Sequence, residues 1–437
     1  MSREATQVRP PLGAALAFTI LALVLSLGAY VIAGLGKRGH VPVTIALYGS
    51  IFAIGYLATF FVIRRLAPLA DPALFPTAGV LTGLGFAMIF RLSGGLAAEQ
   101  ATWVAVGLAA FCGTLLLVRD HRQLDAYTYT IGLVGIGLLL LPIVPGIGRT
   151  INGARLWVSL GPIGFQPSEI AKVLLVVFLA SYLNAKKELL QVATARLGPL
   201  RLPPAKHLAP VLVAWGTSLA VLFLQRDLGA SLLFFGIFVV MLWVATGRAA
   251  YVVIGVVLFA VGAGLGYLAF SHVQLRVDVW LHALDPRKVF EQGYGQVAQA
   301  QFGMATGGLV GTGLGKGSPG LIPFASTDFI FAAFGEELGL LGTTALLLLL
   351  YVVVVGKGIA IALRSSDGFG KLLAAGLATI IGLQTFVIVG GVTRVIPLTG
   401  VTLPFVSYGG SSLVANFVLL ALLVRVSAGP APRRGGG

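Results

Sequence analysis

Asp328 is the residue whose type and setting are best suited to chemistry. It lies in Ser326-Thr-Asp-Phe-Ile-Phe-Ala-Ala-Phe-Gly-Glu-Glu-Leu-Gly339, where a loop rich in Gly and Pro gives way to an apolar run. That transition predicts Asp328 in the first turn of a helix, where the dipole favours an ionised carboxylate. Asp328, Ala332 and Gly335 then share one face, and the small residues leave open space beside the acid. Two uses fit: a cap formed with Ser326 and Thr327, or a proton acceptor facing a substrate.

A second constellation runs from Gly153 to Lys172 and holds Arg155, Ser168, Glu169 and Lys172. Ser168, after Pro167, is the expected N-cap, and Glu169 and Lys172 lie three apart on one helix face. Charges at membrane depth are costly and need partners. The pair either satisfies itself, or it joins Arg155 and the Arg226-Asp227 turn in binding a phosphate-bearing lipid. The third is Gly400-Val-Thr-Leu-Pro-Phe-Val-Ser-Tyr-Gly-Gly-Ser-Ser412, in which Ser407 and Ser411 belong to a run that can break a helix and line a polar cavity. The glycines of 307–317 invite a nucleotide-binding reading, but Lys316 misses the phosphate-loop spacing and no Ser or Thr follows it.

The elements that position these residues must be membrane helices. Of 437 residues, 57% are hydrophobic and 10% charged, against roughly 25% charged in a soluble domain. Spans are predicted at about 12–34, 41–63, 72–92, 101–118, 127–147, 168–183, 208–224, 228–246, 249–270, 337–362, 370–395 and 403–427, giving an all-α polytopic bundle of about 12 transmembrane helices. The first run is too long for a signal-peptide core. Basic residues such as Arg64, Arg65, Arg119, Arg122, Lys186, Lys187, Arg364 and Lys371 mark one side as cytoplasmic, together with both termini. The loop at about 271–336 therefore faces outward, with Arg155, residues 225–227 and Arg394. The net charge of +15 is scattered over short connections, which suits anionic membrane lipid and no nucleic acid. The single Cys112 excludes an internal disulfide.

The motifs resemble the shape, elongation, division and sporulation (SEDS) family of peptidoglycan glycosyltransferases, the RodA and FtsW type. They are Gly-Ala-Arg-Leu-Trp at 153–157, Gln-Pro-Ser-Glu-Ile-Ala-Lys at 166–172, Asp-Leu-Gly at 227–229, the glycine run at 307–315, Thr-Asp-Phe-Ile-Phe with Gly-Glu-Glu-Leu-Gly at 327–339, and Leu-Pro-Phe-Val-Ser-Tyr-Gly-Gly-Ser-Ser at 403–412. The resemblance covers about residues 72–427 and divides the chain into an N-terminal extension over 1–70, a glycosyltransferase core over 71–427 and a short cytoplasmic tail over 428–437. Family members usually have ten spans, so the first two are extra. Arg226, Arg394 and Thr399 depart from the commoner pattern, which has Pro before the Asp, and Gly and Lys where Arg394 and Thr399 stand. The extra spans and short tail look more like the RodA branch.

What the resemblance implies is polymerisation of lipid II at the outer face of the plasma membrane, with inversion at the anomeric carbon. Asp328 becomes the expected catalytic base. Arg155, Glu169, Lys172, Asp227, Arg394, Ser407 and Ser411 become expected substrate-binding residues. A divalent cation, Mg or Mn, is expected from the pyrophosphate and the family, no ligand cluster being visible in the sequence; no organic cofactor is expected. The implied partner is a class B penicillin-binding transpeptidase. A flippase for the lipid-linked precursor is the rival from another class, and a non-enzymatic scaffold would leave the outer charges idle.

Overall fold

The computed structural model describes residues 11–429 apart from 152–153, 161–162, 192–194, 198–199, 203–212, 214, 218, 221–223, 226 and 292. Among the described residues ten helices are long and apolar enough to cross a membrane. Those used below are α1 (Leu12–Arg38), α2 (Ile45–Leu66), α3 (Leu74–Leu92), α4 (Gly94–Leu117), α5 (Thr128–Leu140, within the span His121–Ile143), α6 (Pro167–Ala185), α7 (Leu228–Thr246) and α8 (Ala249–Ala269). The long loop after α8 folds as α9 (Ser271–His282) and α10 (Tyr294–Gly307). It leads into α11 (Ile330–Gly342) and α12 (Leu349–Arg364), before α13 (Gly368–Val392) and α14 (Gly410–Ser427). A short antiparallel sheet, β1 (Gly148–Ile151), β2 (Ala154–Leu160) and β3 (Ile163–Phe165), joins α5 to α6. The expected span at 208–224 and Arg226 lie wholly or partly outside the described residues.

Burial is inverted relative to a soluble protein. Along α8 the large side chains Val253, Val256, Val257 and Leu268 are exposed, whereas Gln100, Gln384, Asn416 and Glu337 are buried in the interior. Apolar side chains facing outward on long helices are stable in hydrocarbon and costly in water. The chain is a multi-pass membrane protein. The innermost helices are α3, α6, α13 and α14, each buried along most of its length.

The N-terminal extension is packed tightly onto this interior. A Cβ at Gly83 of α3 would collide with Ser26 of α1, and the Tyr56 hydroxyl of α2 donates to the Gly79 carbonyl at 2.6 Å. Tyr30, Tyr48, Phe52 and Phe86 interlock edge to face or tilted between these helices. Such aromatic pairs add to area burial.

The stretch expected as one span over 337–362 is broken. Gly339 has φ 67° and ψ −177°, non-helical values inside α11. Six residues of π-helix, Thr343–Leu348, then lead into α12. The break has a tertiary cause: the Glu336 and Glu337 carbonyls accept from the Thr312 and Gly313 amides of the glycine loop, at 3.0 and 2.9 Å, instead of continuing the helical ladder. Only glycine tolerates this φ without strain.

Candidate functional site

The site is built around the turn Leu398-Thr399-Gly400, between α13 and α14. Helix α7 reaches it first, because a Cβ at Gly229 would lie 2.7 Å from the Thr399 carbonyl oxygen. Glycine therefore lets the start of α7, capped by Asp227, press against the turn. Asp227 Oδ1 accepts from the Ala230 amide at 2.9 Å. Helix α9 arrives from a second direction. There the Arg276 guanidinium donates from Nη1 to the Leu398 and Thr399 carbonyls at 3.1 and 2.9 Å. Asp328 comes from a third direction, its Oδ2 3.7 Å from where a Cβ on Gly400 would stand.

Two carboxyls and one guanidinium thus share one turn. The half-buried Asp328 loses much of its hydration, which pushes its pKa up to about 6. Arg276 and the Thr327 hydroxyl oppose that rise, and the Asp227 charge adds to it. Burial likewise raises Asp227, against its backbone bond to Ala230 and the charge of Arg276. Burial lowers Arg276, which the two acids pull back up; a guanidinium nonetheless stays charged at neutral pH.

Asp328 is not in the first turn of its helix, contrary to the sequence expectation. The N-cap is Phe329, and no side chain caps α11. The acid stands just outside, held by bonds to other elements. Ser407 Oγ donates to the Thr327 carbonyl at 2.7 Å and accepts from the Leu403 amide at 2.9 Å, while the Tyr408 amide donates to Ser326 O at 2.8 Å. The expected cap therefore does no capping, and Ser407 fastens the segment that carries Asp328.

Behind this turn lies a buried polar chain. Lys172 Nζ donates to Glu169 Oε2 at 2.6 Å and to Gln384 Oε1 at 2.8 Å, and Gln384 Nε2 donates to Thr402 O at 2.8 Å. The Glu169–Lys172 pair forms as its spacing suggests, with a third partner from α13. Its charge reaches the main group, since Glu169 contributes to the upward push on Asp227. Ser168 is not the N-cap of α6: that position is Gln166, with Pro167 opening the helix. Ser411 instead accepts from the Gln166 amide at 2.9 Å, tying α14 to the start of α6.

Two expected cations stand apart from the acids. Arg155, on β2, donates from Nη2 to the Val144 carbonyl at 3.2 Å, and its Nε is buried without a partner. Arg394 has φ 61° and binds the Trp280 carbonyl from Nε and Nη2, at 3.2 and 2.9 Å. The Trp280 indole returns a bond to Arg394 O at 2.9 Å. Arg394 thereby locks the C-terminal end of α9, the helix that carries Arg276. Among the described residues, the other non-glycine residues with positive φ are Phe324 and Phe405, which flank the segments holding Asp328 and Ser407. Strained backbone concentrated around one site is characteristic of places held rigid for function.

Arg276 and Gln384 were not singled out from the sequence. A signal for Arg276 exists: Val273, Arg276, Val277 and Trp280 fall at helical spacing on one face of α9, so an arginine sits in an otherwise apolar stripe. Val273, Arg276 and Val277 of that stripe line a cavity of about 600 Å³ with Leu232, Phe235, Phe259 and Phe386, from α7, α8 and α13. The cavity is apolar along its length, and Arg276 and Thr399 stand on its wall. Among the described residues, no three His, Cys, Asp or Glu side chains converge to hold a metal ion.

Comparison with known proteins points in one direction. A family of cell cycle proteins typified by FtsW, RodA and SpoVE matches residues 85–430. The chain is 44% identical to a peptidoglycan glycosyltransferase RodA of Mycobacterium tuberculosis, over 97% of this chain and 92% of that protein. It is 32% identical to a probable peptidoglycan glycosyltransferase FtsW of Geobacter metallireducens, over 82% of this chain and 94% of that one. Among solved structures it resembles a chain from a study of how a peptidoglycan synthase complex coordinates polymerization and crosslinking, with TM-score 0.67 and 29% identity over 82% of this chain and 97% of that one. It also resembles the rod shape determining protein RodA of Thermus thermophilus, with TM-score 0.56 and 28% identity over 82% and 96% of the two chains.

Proposed function

Because this chain belongs to the FtsW, RodA and SpoVE family of cell cycle proteins, we infer that it is a peptidoglycan glycosyltransferase, polymerising lipid II at the outer face of the plasma membrane. The observation that carries the reading is the placement of Asp328 and Arg276 on one turn beside an apolar cavity. A lipid-borne pyrophosphate sugar needs these features: an apolar channel for the polyprenyl chain, cations where the pyrophosphate departs, and a carboxylate basic enough to accept a proton.

In this mechanism an acceptor sugar hydroxyl attacks the anomeric carbon of the donor from the face opposite the pyrophosphate. The new C–O bond forms as the hydroxyl proton passes to Asp328, and the old C–O bond breaks with its electron pair leaving on the pyrophosphate. The α linkage becomes β. A carboxyl with pKa about 6 is ionised at neutral pH and is a stronger base than an ordinary aspartate. Arg276, aided by Lys172, balances charge on the leaving group. Asp227, Ser407 and Ser411 shape the site through the bonds described, and Arg394 fixes α9. A divalent cation enters this reading only as a companion of the pyrophosphate, and no step is routed through it.

The relatives also favour the elongation branch: similarity to RodA extends over nearly the whole chain, whereas that to FtsW stops at 82% of it. A class B penicillin-binding transpeptidase is the proposed partner, supported by the likeness to a chain from a synthase complex. The deciding experiment supplies purified protein in liposomes with labelled lipid II. Glycan chains are the expected product. Transbilayer movement without glycan would establish a flippase instead, and neither outcome would leave a scaffold.

A further inference from the structure

The glycine loop over 307–317 has a mechanical role that the reaction itself does not require, and it connects the N-terminal extension to Asp328. Five bonds bind this loop to the acids of α11, one of them from the Thr312 hydroxyl to the Glu336 carbonyl at 3.1 Å. The Thr312 and Gly313 amides donate to the Glu336 and Glu337 carbonyls, the Gly315 amide to Glu337 Oε2 at 2.8 Å, and the Ser318 amide to Glu336 Oε1 at 2.6 Å. Glu337 is fully buried and also pairs with Arg91 Nε of α3 at 3.1 Å, and Arg91 Nη2 donates to Gly317 O at 2.6 Å. Both glutamates are therefore committed to holding the loop.

The outer end of α1 closes this assembly. Lys37 Nζ donates to the Arg91 carbonyl at 2.6 Å. A Cβ at Gly36 would stand 2.5 Å from Leu314 O and 2.8 Å from Gly315 Cα, and one at Gly315 would stand 2.7 Å from Ala33 O. Two glycines meet face to face, so the backbone of α1 rests directly on the backbone of the loop. Such contact leaves no side chain to yield if the surfaces shift. The Mycobacterium tuberculosis relative matches 97% of this chain, which leaves too little unmatched to omit both α1 and α2.

We propose that the outer end of α1 is a brace for the segment carrying Asp328, with Gly36 and Lys37 as positioning residues. The path runs from α1 through the loop to Glu336 and Glu337, then back along α11 to Asp328. The helix between the glutamates and Asp328 is buried on the residues Ile330–Glu337, so displacement at one end is transmitted to the other. Displacing a catalytic group by about 1 Å can cost on the order of 10²-fold in rate. The catalytic part of this proposal rests on the glycosyltransferase reading; the mechanical part does not.

The test uses the full-length protein in lipid nanodiscs, with amide hydrogen exchange and steady-state polymerisation measured in parallel. Gly36→Val and Lys37→Met should each speed exchange at Gly313, Gly315 and Ser318, by roughly tenfold for the valine, while the end of α14 exchanges as in wild type. Both should lower kcat with KM unchanged, and Lys37→Arg, which keeps a donor for Arg91 O, should restore both readouts. Wild-type exchange in both substitutions would overturn the brace. Faster exchange with unchanged kcat would overturn its catalytic role. Should Gly36→Val not fold, Lys37→Met carries the same comparison. If the wild type itself makes no glycan, the functional reading fails while exchange still decides the mechanical link.

Discussion

At the scale of single residues, Asp328 permits a test that separates catalysis from structure. Its carboxyl must be ionised to accept a proton, so kcat/KM is expected to rise with pH through about 6 and then level off. Stability should move the other way. A carboxyl whose folded pKa lies above its unfolded value stabilises the fold most when protonated, and that contribution fades as pH rises from about 4 through about 6. Asp328→Asn should therefore lose about 10²–10⁴-fold in polymerisation while melting no lower than wild type at pH 7. Near-normal polymerisation by this variant would remove the proposed base. Glu336, the next acid along α11, is no substitute base, since its carboxylate holds the Ser318 amide. Arg276→Met is expected to lower activity at least tenfold, loss of one charge-assisted partner costing on the order of 2–5 kcal/mol. It should also shift the acid limb to higher pH, because Arg276 is the main group holding Asp328 down. An unshifted limb would separate the two residues.

Among the elements, the segment bearing Asp328 depends on Ser407 more than on its own helix. Removing the Ser407 hydroxyl leaves the Leu403 amide and the Thr327 carbonyl without their shared partner. Ser407→Ala should cost about 1–3 kcal/mol of stability and depress kcat more than KM. A fall in KM-dependent binding alone would instead make Ser407 a substrate contact. Arg394 belongs at this scale too. By holding both carbonyl contacts on α9 it fixes where Arg276 projects, so Arg394→Ala should reproduce the shifted acid limb of Arg276→Met in weaker form. An acid limb at the wild-type pH would show that α9 needs no such lock.

The whole molecule carries a prediction about orientation. If the cluster is outside, Ser318→Cys in a Cys112→Ala background should react with an impermeant thiol reagent in intact cells, Ser318 being exposed. Labelling confined to lysed cells would reverse the topology and the outer-face mechanism with it. The proposed partnership is tested by adding class B transpeptidases from the same cell to the purified protein; indifference of polymerisation to every one of them would end it.

The sequence by itself determined the class of molecule and marked out which charged residues call for an explanation. Apolar runs long enough to span a bilayer leave little freedom in hydrocarbon, where each backbone group must bond within its own helix, so most span positions were legible without coordinates. Asp328, Glu169, Lys172 and Asp227 were legible for a related reason, since charge is rare in such a chain and must be justified by pairing or by function. Only tertiary structure decided what those residues touch. Arg276 lies far from Asp227 in sequence and comes within electrostatic reach of it because α7, α9 and the 398–400 turn converge. Arg394, chosen as a substrate cation, is spent on the carbonyls of α9, and the break at Gly339 arises because a distant loop takes the carbonyls that would have continued the helix. Periodicity records how each segment meets lipid or core; hydrogen bonds and charges exchanged between segments depend on backbone approach, which no local pattern of residues specifies.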